Sequence, residues 1–232
     1  IAMDAGGKTS HTAILARSFE IPAVLGLSEI TKLVNSGDQI IIDGNRGRVI
    51  CQPDEKTVQR YLRVQSEWRQ HEVRLMGLNE LPAETRDGKL ISLKANIEVP
   101  EEVDAVLSHG ADGVGLYRSE FLFLRPGALP TEEEQYQAYI KVLDAMNGAP
   151  VTIRTLDVGG DKISPGLREH REKNPILGWR AIRYCLANPE LFRTQLRALL
   201  RASVHGSLRI MFPMISGLEE LNRAYESLEE VR

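Results

Sequence analysis

Gly113-Val114-Gly115-Leu116-Tyr117, Thr131-Glu132-Glu133-Glu134 and Pro150-Val151-Thr152-Ile153-Arg154-Thr155-Leu156 decide the fold of this chain. The first and third runs are short, rich in apolar and β-branched residues, and opened by Gly or Pro, which is strand composition. Between them, Thr131 followed three residues later by Glu134 is a capping box that opens a helix to about Met146. The order is therefore strand, helix, strand, and the pattern repeats on both sides. Leu90 to Ile97 is strand-like, and a helix follows from about Pro100-Glu101-Glu102 to His109, stopped by Gly110. Downstream, two helices are expected over residues 176–205, a strand over Leu208 to Met214, and a last helix from about Leu218 onward. Such alternation implies a parallel sheet with both faces covered. Four units in roughly 145 residues amount to about half of a closed (β/α)8 barrel, which typically needs about 250.

Upstream the pattern differs. Gln39-Ile40-Ile41-Ile42-Asp43 and Arg48-Val49-Ile50 flank Gly44-Asn45-Arg46-Gly47, a hairpin signal. Pro53-Asp54-Glu55 then opens a long charged helix to about Met76, with Val58, Tyr61, Leu62 and Leu75 expected to pack; Trp68 is read as a packing residue too. The expected organisation is a first domain over 1–52, a helical linker over 53–88 and the strand-helix domain over 89–232. Ile1-Ala2-Met3-Asp4 resembles the end of a buried strand with nothing before it to pair with, so the chain is expected to be a fragment of a longer protein.

The 232 residues are 42% hydrophobic and carry a net charge of −3 with both signs interspersed, so no electrostatic footprint for nucleic acid or a membrane is present. There is no run of 18 apolar residues and no signal-peptide pattern, which makes a cytoplasmic location the expectation. Cys51 and Cys185 are far apart and lack metal-ligand spacing; they are expected to be small packing residues. No metal ligand is assigned within the chain.

Two features carry chemistry. The first is Gly6-Gly7-Lys8-Thr9-Ser10-His11-Thr12. Glycines let the backbone turn tightly and approach an anion, Thr9 and Ser10 are candidate N-caps whose hydroxyls can also reach phosphate oxygens, and His11 opens a helix whose unpaired N–H groups favour an anion. Ile14 and Leu15 give that helix an apolar side. A neutral imidazole there keeps a lone pair for attack on phosphorus. A lone histidine near a helix start is, by itself, most often a surface or capping residue. Gly7-Lys8-Thr9 also resembles the tail of a nucleotide-binding loop, but the glycine that loop needs is Ala2 here.

The second feature is arginine at strand ends. Arg118 follows the strand at 113–117, and Arg154 lies near the end of the strand at 150–156, where a barrel places its active site. Guanidinium groups converging there would grip a small, highly charged substrate through bidentate contacts. Arg180, in Gly178-Trp179-Arg180-Ala181-Ile182-Arg183, is a third candidate, for which an internal ion pair is an equal reading. Gly159-Gly160 offers a turn that can approach phosphate, and Asp157 and Asp161 are placed to orient a cation.

Taken in order, Gly6 to Ser18, Gly115-Leu116-Tyr117-Arg118-Ser119-Glu120-Phe121-Leu122-Phe123, Ile153 to Lys162 and Asn174 to Arg183 resemble enzyme I of the bacterial phosphoenolpyruvate:sugar phosphotransferase system. The resemblance spans nearly the whole chain. It implies a phosphohistidine swivelling domain joined by a helical linker to the first half of a TIM-type barrel. By the same resemblance, His11 accepts phosphate from phosphoenolpyruvate and passes it to the phosphocarrier HPr. Arg118, Arg154 and Arg180 bind the substrate, and Gly7, Thr9 and Ser10 support the turn. Mg2+ is the implied cofactor, with ligands expected beyond residue 232, together with the cysteine that protonates the enolate. A homodimer is implied for the full-length protein, and the fragment alone is expected to be inactive. Lys8 departs from the family's arginine. The alternatives are a phosphorelay or regulatory module, including a nitrogen-related phosphotransferase, and a relative of pyruvate phosphate dikinase or phosphoenolpyruvate synthase, which would need a nucleotide-binding domain.

Overall fold

The computed structural model describes residues 1–7, 10–123, 129–159 and 178–232, and describes only the backbone of His11, Ile14, Leu15 and Ser18. The expectations for Lys8, Thr9, Gly160, Asp161 and Lys162, for the stretch 174–177, and for the side chains of Ile14 and Leu15 lie outside the described residues. The chain divides into two compact units, Ile1–Leu81 and Pro82–Arg232.

In the first unit, β1 (Ala2–Met3) pairs in parallel with β2 (Val24–Leu25). The opening strand thus finds its partner downstream, and it is partly rather than fully buried. Between these strands lies α1 (His11–Ser18), on which Ala16 is buried. Asp4 then leaves β1 to cap α2 (Ile30–Leu33): its carboxylate accepts from the Ile30 amide, from the Thr31 amide at 3.2 Å and from the Thr31 hydroxyl. The hairpin forms as expected, with β3 (Ile40–Asp43) antiparallel to β4 (Arg48–Cys51). Asp43 closes its turn by accepting from the Arg46 amide at 3.0 Å.

Helix α3 (Glu55–Met76) starts where Asp54 Oδ1 accepts from the Thr57 amide at 2.7 Å. Val58 and Tyr61 are partly buried, and Tyr61 donates to Asp43 at 3.3 Å. Leu62, Trp68 and Leu75, expected to pack, are each about half exposed. Length explains the difference. The helix has 22 residues, about 33 Å, and the four-residue strands of the hairpin span only about 13 Å.

The second unit is mixed α/β. Strands β5 (Ala95–Ile97), β6 (Val114–Arg118), β7 (Val151–Arg154) and β8 (Leu208–Met211) form a parallel sheet in sequence order. Helices α4 (Val103–Ser108) and α5 (Glu132–Ala145) follow β5 and β6. Helices α6 (Ala181–Ala187) and α7 (Pro189–Ala202) precede β8, and α8 (Leu218–Glu230) follows it. The core lies between sheet and helices: Val114, Tyr117, Val151 and Ile153 of the strands pack with Tyr139, Val142, Leu143, Phe192, Leu196 and Leu199 of α5 and α7.

Local signals hold where they are chemical. Thr131 and Glu134 form the capping box, with Thr131 Oγ1 accepting from the Glu134 amide at 3.2 Å and Glu134 Oε2 accepting from the Thr131 amide at 2.8 Å. The expected strand over 90–97 is shorter. Leu90, Ile91 and Leu93 are exposed, because ladder pairing with β6 begins only at Ala95 opposite Val114. Pro189 opens α7 directly after α6, since a proline without an N–H starts a helix more readily than it continues one. The strand expected to reach Met214 ends at Met211, ahead of Pro213, which has no N–H to donate.

Candidate active site

Arg118 is the last residue of β6 and Arg154 the last of β7, and they are direct ladder partners. Alternation explains how a charge is tolerated there. Val151 and Ile153 face the core, whereas Thr152 and Arg154 lie on the other, partly exposed face. Arg118 Nη1 is held by Glu98 Oε1 at 2.6 Å, with both side chains substantially exposed.

Arg154 is more enclosed. Its Nε donates to Glu120 Oε1 at 2.9 Å, its Nη2 lies 2.8 Å from the same oxygen, and its Nη1 lies 3.1 Å from Asp157 Oδ2. Asp157 also receives Arg180: Nε and Nη2 reach Oδ1 at 2.9 and 2.8 Å, and Nη2 donates to the Asp157 carbonyl at 3.1 Å. The aspartate is thus a bridge between two arginines, the orienting role open to it from sequence. Arg180 is not inside a helix but is the extended N-cap of α6, joined to Gly159 by an antiparallel bridge. The residue after it, Ala181, is fully buried at φ 54, a left-handed conformation costing about 1–3 kcal/mol that the packing of α6 sustains.

Glu120 follows Arg118 and Ser119 in sequence, and nothing in that stretch assigns it a role. Burial pushes its carboxyl above the ordinary glutamate value, and the Arg154 guanidinium only partly offsets this. Among the described residues its Oε2 is buried without a hydrogen-bond partner, as is Thr155 Oγ1. Behind the strand ends lies a buried polar network that sequence also missed. Ser119 Oγ donates to the Arg154 carbonyl at 2.7 Å, and Gln195 Nε2 donates to Ser119 Oγ and to Tyr139 Oη, each at 3.1 Å. Gln195 Oε1 accepts from the Leu156 amide at 2.9 Å. The only signal available in sequence was a polar residue on the apolar side of α7, whose neighbours Leu196 and Leu199 are buried. Cys185 is a packing residue, its thiol pushed up to about 12 by burial.

In the first unit, the described residues that flank the start of α1 are Gly6, Gly7 and Ser10. Gly6 sits at φ 111, where a side chain is disfavoured, and the Ser10 amide donates to the Gly7 carbonyl at 2.9 Å. Ser10 Oγ accepts from the Ala13 amide at 3.3 Å, which makes Ser10 the cap. His11 is the first residue of α1; its side chain, like Thr9, lies outside the described residues.

Among the described residues no group of three or more His, Cys, Asp or Glu side chains is arranged to hold a metal ion, and Glu120 and Asp157 are committed to arginines. These residues do not fit a magnesium site. Among them, too, no helix is long and apolar enough to cross a membrane.

Residues 73–232 match the family of PEP-utilising enzymes, PEP-binding domain, and residues 1–47 match the PEP-utilising enzyme mobile domain. The chain is 49% identical over 225 residues to a phosphoenolpyruvate-protein phosphotransferase of Listeria innocua, covering 97% of this chain and 39% of that protein. It is 48% identical over 227 residues to the proteins of the same name from Staphylococcus carnosus and Bacillus subtilis, covering 98% of this chain and 40% of each. The chain therefore spans about two-fifths of the length of these curated relatives. Since the PEP-binding match alone takes in more than half of the chain, and the strand-end arginines fall inside it, the chain belongs to the PEP-utilising enzymes.

Proposed function

We propose that this chain is the phosphoryl-accepting and substrate-gripping part of a phosphoenolpyruvate-protein phosphotransferase. The observation that carries the proposal is the strand-end cluster: Arg118 and Arg154 on one rung of the sheet, with Arg180 joined to Arg154 through Asp157. A substrate bearing both a phosphate and a carboxylate matches such a cluster, because guanidinium forks bind each group by two hydrogen bonds.

In this reading a ring nitrogen of His11 attacks the phosphorus of phosphoenolpyruvate. The N–P bond forms, the bond from phosphorus to the enol oxygen breaks, and its electron pair leaves on the enolate, which is later protonated at carbon to give pyruvate. The arginines hold the substrate and balance its charge. Gly7, Thr9 and Ser10 shape the turn, and the start of α1 offers N–H groups to the phosphoryl oxygens. Residues 1–52 then act as part of a swivelling phosphohistidine domain, 53–88 as a helical linker and 89–232 as the first half of a TIM-type barrel, to which the parallel order of β5 to β8 lends support. The phosphoryl group passes on to HPr. Magnesium would assist, and the full-length protein would be a cytoplasmic homodimer.

The test is labelling of the full-length protein with phosphoenolpyruvate carrying radioactive phosphorus. The label should be acid-labile and alkali-stable, and absent from His11→Ala. Label retained in that variant would sink the assignment.

A further inference from the structure

We infer that Glu120 is a positioning residue for the substrate, presenting Arg154 to the incoming anion by one edge of its guanidinium. The inference rests on the reading that Arg154 grips phosphoenolpyruvate. Glu120 Oε1 accepts from Nε at 2.9 Å and lies 2.8 Å from Nη2 on the same side of the guanidinium, and Asp157 Oδ2 lies 3.1 Å from Nη1. A guanidinium has five N–H groups. With Glu120 on the Nε–Nη2 side, the side formed by the two terminal nitrogens is the one that can meet an oxyanion in a bidentate contact.

Three observations favour positioning over simple stabilisation. Glu120 and Arg154 stand just past and at the ends of neighbouring strands, and their side chains are only 12% and 19% exposed, so the ion pair is built into the sheet rather than laid on its surface. The same Oε1 also accepts from the Asp157 amide at 3.2 Å, so one oxygen fixes both Arg154 and the backbone of the residue that bridges to Arg180. Oε2, in contrast, is buried with no hydrogen-bond partner among the described residues. A carboxylate that keeps an unpaired buried oxygen is costly to the fold, and the gain that offsets it lies in where Arg154 points.

The experiment is steady-state kinetics on the full-length protein with Glu120→Ala and Glu120→Gln. Phosphoryl transfer back from phosphorylated HPr to His11 is measured alongside, since it does not use the arginine cluster. Loss of a charge-assisted orienting bond should raise the KM for phosphoenolpyruvate about 10-fold or more in Glu120→Ala, with a smaller fall in kcat. Glutamine keeps an oxygen acceptor for Nε and Nη2 and should recover KM to within about threefold of wild type. Back-transfer should be unchanged in both. An unchanged KM in Glu120→Ala, or an equal loss of both half-reactions in Glu120→Gln, overturns the inference. Arg154→Ala separates the two levels. If it raises KM while Glu120→Ala does not, positioning fails alone; if Arg154→Ala leaves KM unchanged, the reading beneath it fails as well.

Discussion

Ser119 Oγ donates a hydrogen bond to the carbonyl of Arg154 at 2.7 Å, tying the first residue past β6 to the last residue of β7. Gln195 holds this pair from behind and also takes up the Leu156 amide. Gln195→Leu conserves bulk but leaves a buried N–H without an acceptor. The expected loss is about 1–3 kcal/mol of unfolding free energy for each group stranded, measured by urea denaturation. A variant as stable as wild type would show that the network is dispensable.

Gly113 lies where β6 meets the loop after α5. A Cβ built on it would come within 2.5 Å of the Pro150 carbonyl oxygen, and that oxygen is the acceptor for the Val114 amide at 2.9 Å. Backbone on both sides of the clash cannot swing away like a side chain. Gly113→Ala should therefore destabilise the protein by about 1–3 kcal/mol, the scale of overpacking, seen as a lowered thermal midpoint. An unshifted midpoint would mean the two strand ends part freely.

The carboxyl of Glu120 predicts a pH dependence with a definite sign. Burial raises its folded-state value above the ordinary 4.5, with Arg154 lowering it and Asp157 raising it slightly. As pH rises through the window from 4.5 to that raised value, the unfolded chain gives up the proton first. The native state then binds more protons, so stability falls with rising pH there. Glu120→Gln lacks this titration. The stability of wild type minus that of Glu120→Gln should decline across the window and flatten above it, as measured by denaturant unfolding at a series of pH values. A difference that climbs with pH would contradict the sign.

Arg118→Ala and Arg154→Ala should weaken use of phosphoenolpyruvate while sparing back-transfer from phosphorylated HPr. In the proposed reading each removes charge-assisted bonds to substrate, so kcat/KM should fall about 10-fold or more. Equal losses in both half-reactions, read from single-turnover phosphorylation, would contradict a division between carrier and substrate grip.

How much of this was legible in sequence depends on the reach of each interaction. The capping box at Thr131 and Glu134, the hairpin around Gly44 to Gly47 and the Ser10 cap are settled within a few residues, and sequence reads them directly. The placement of Arg118 and Arg154 at strand ends was legible because the apolar runs before them stop there. Strand limits were less so, since the start of β5 is set by its partner β6 and not by the apolar run that begins at Leu90. The contacts of Glu120 with Arg154 and of Gln195 with Ser119 were not legible. A buried polar residue is spelled like an exposed one, and what fixes Gln195 lies 76 positions away at Ser119.

The shared rung of Arg118 and Arg154 has one more consequence. Neighbouring strands sit about 4.8 Å apart because backbone hydrogen bonds set that distance. The roots of the two arginines are therefore spaced by the main chain, and no replacement of a side chain moves them. The sheet serves as a ruler. Altering the spacing of the pair would require sliding an arginine to another rung, and a shift of one residue would turn it into the core.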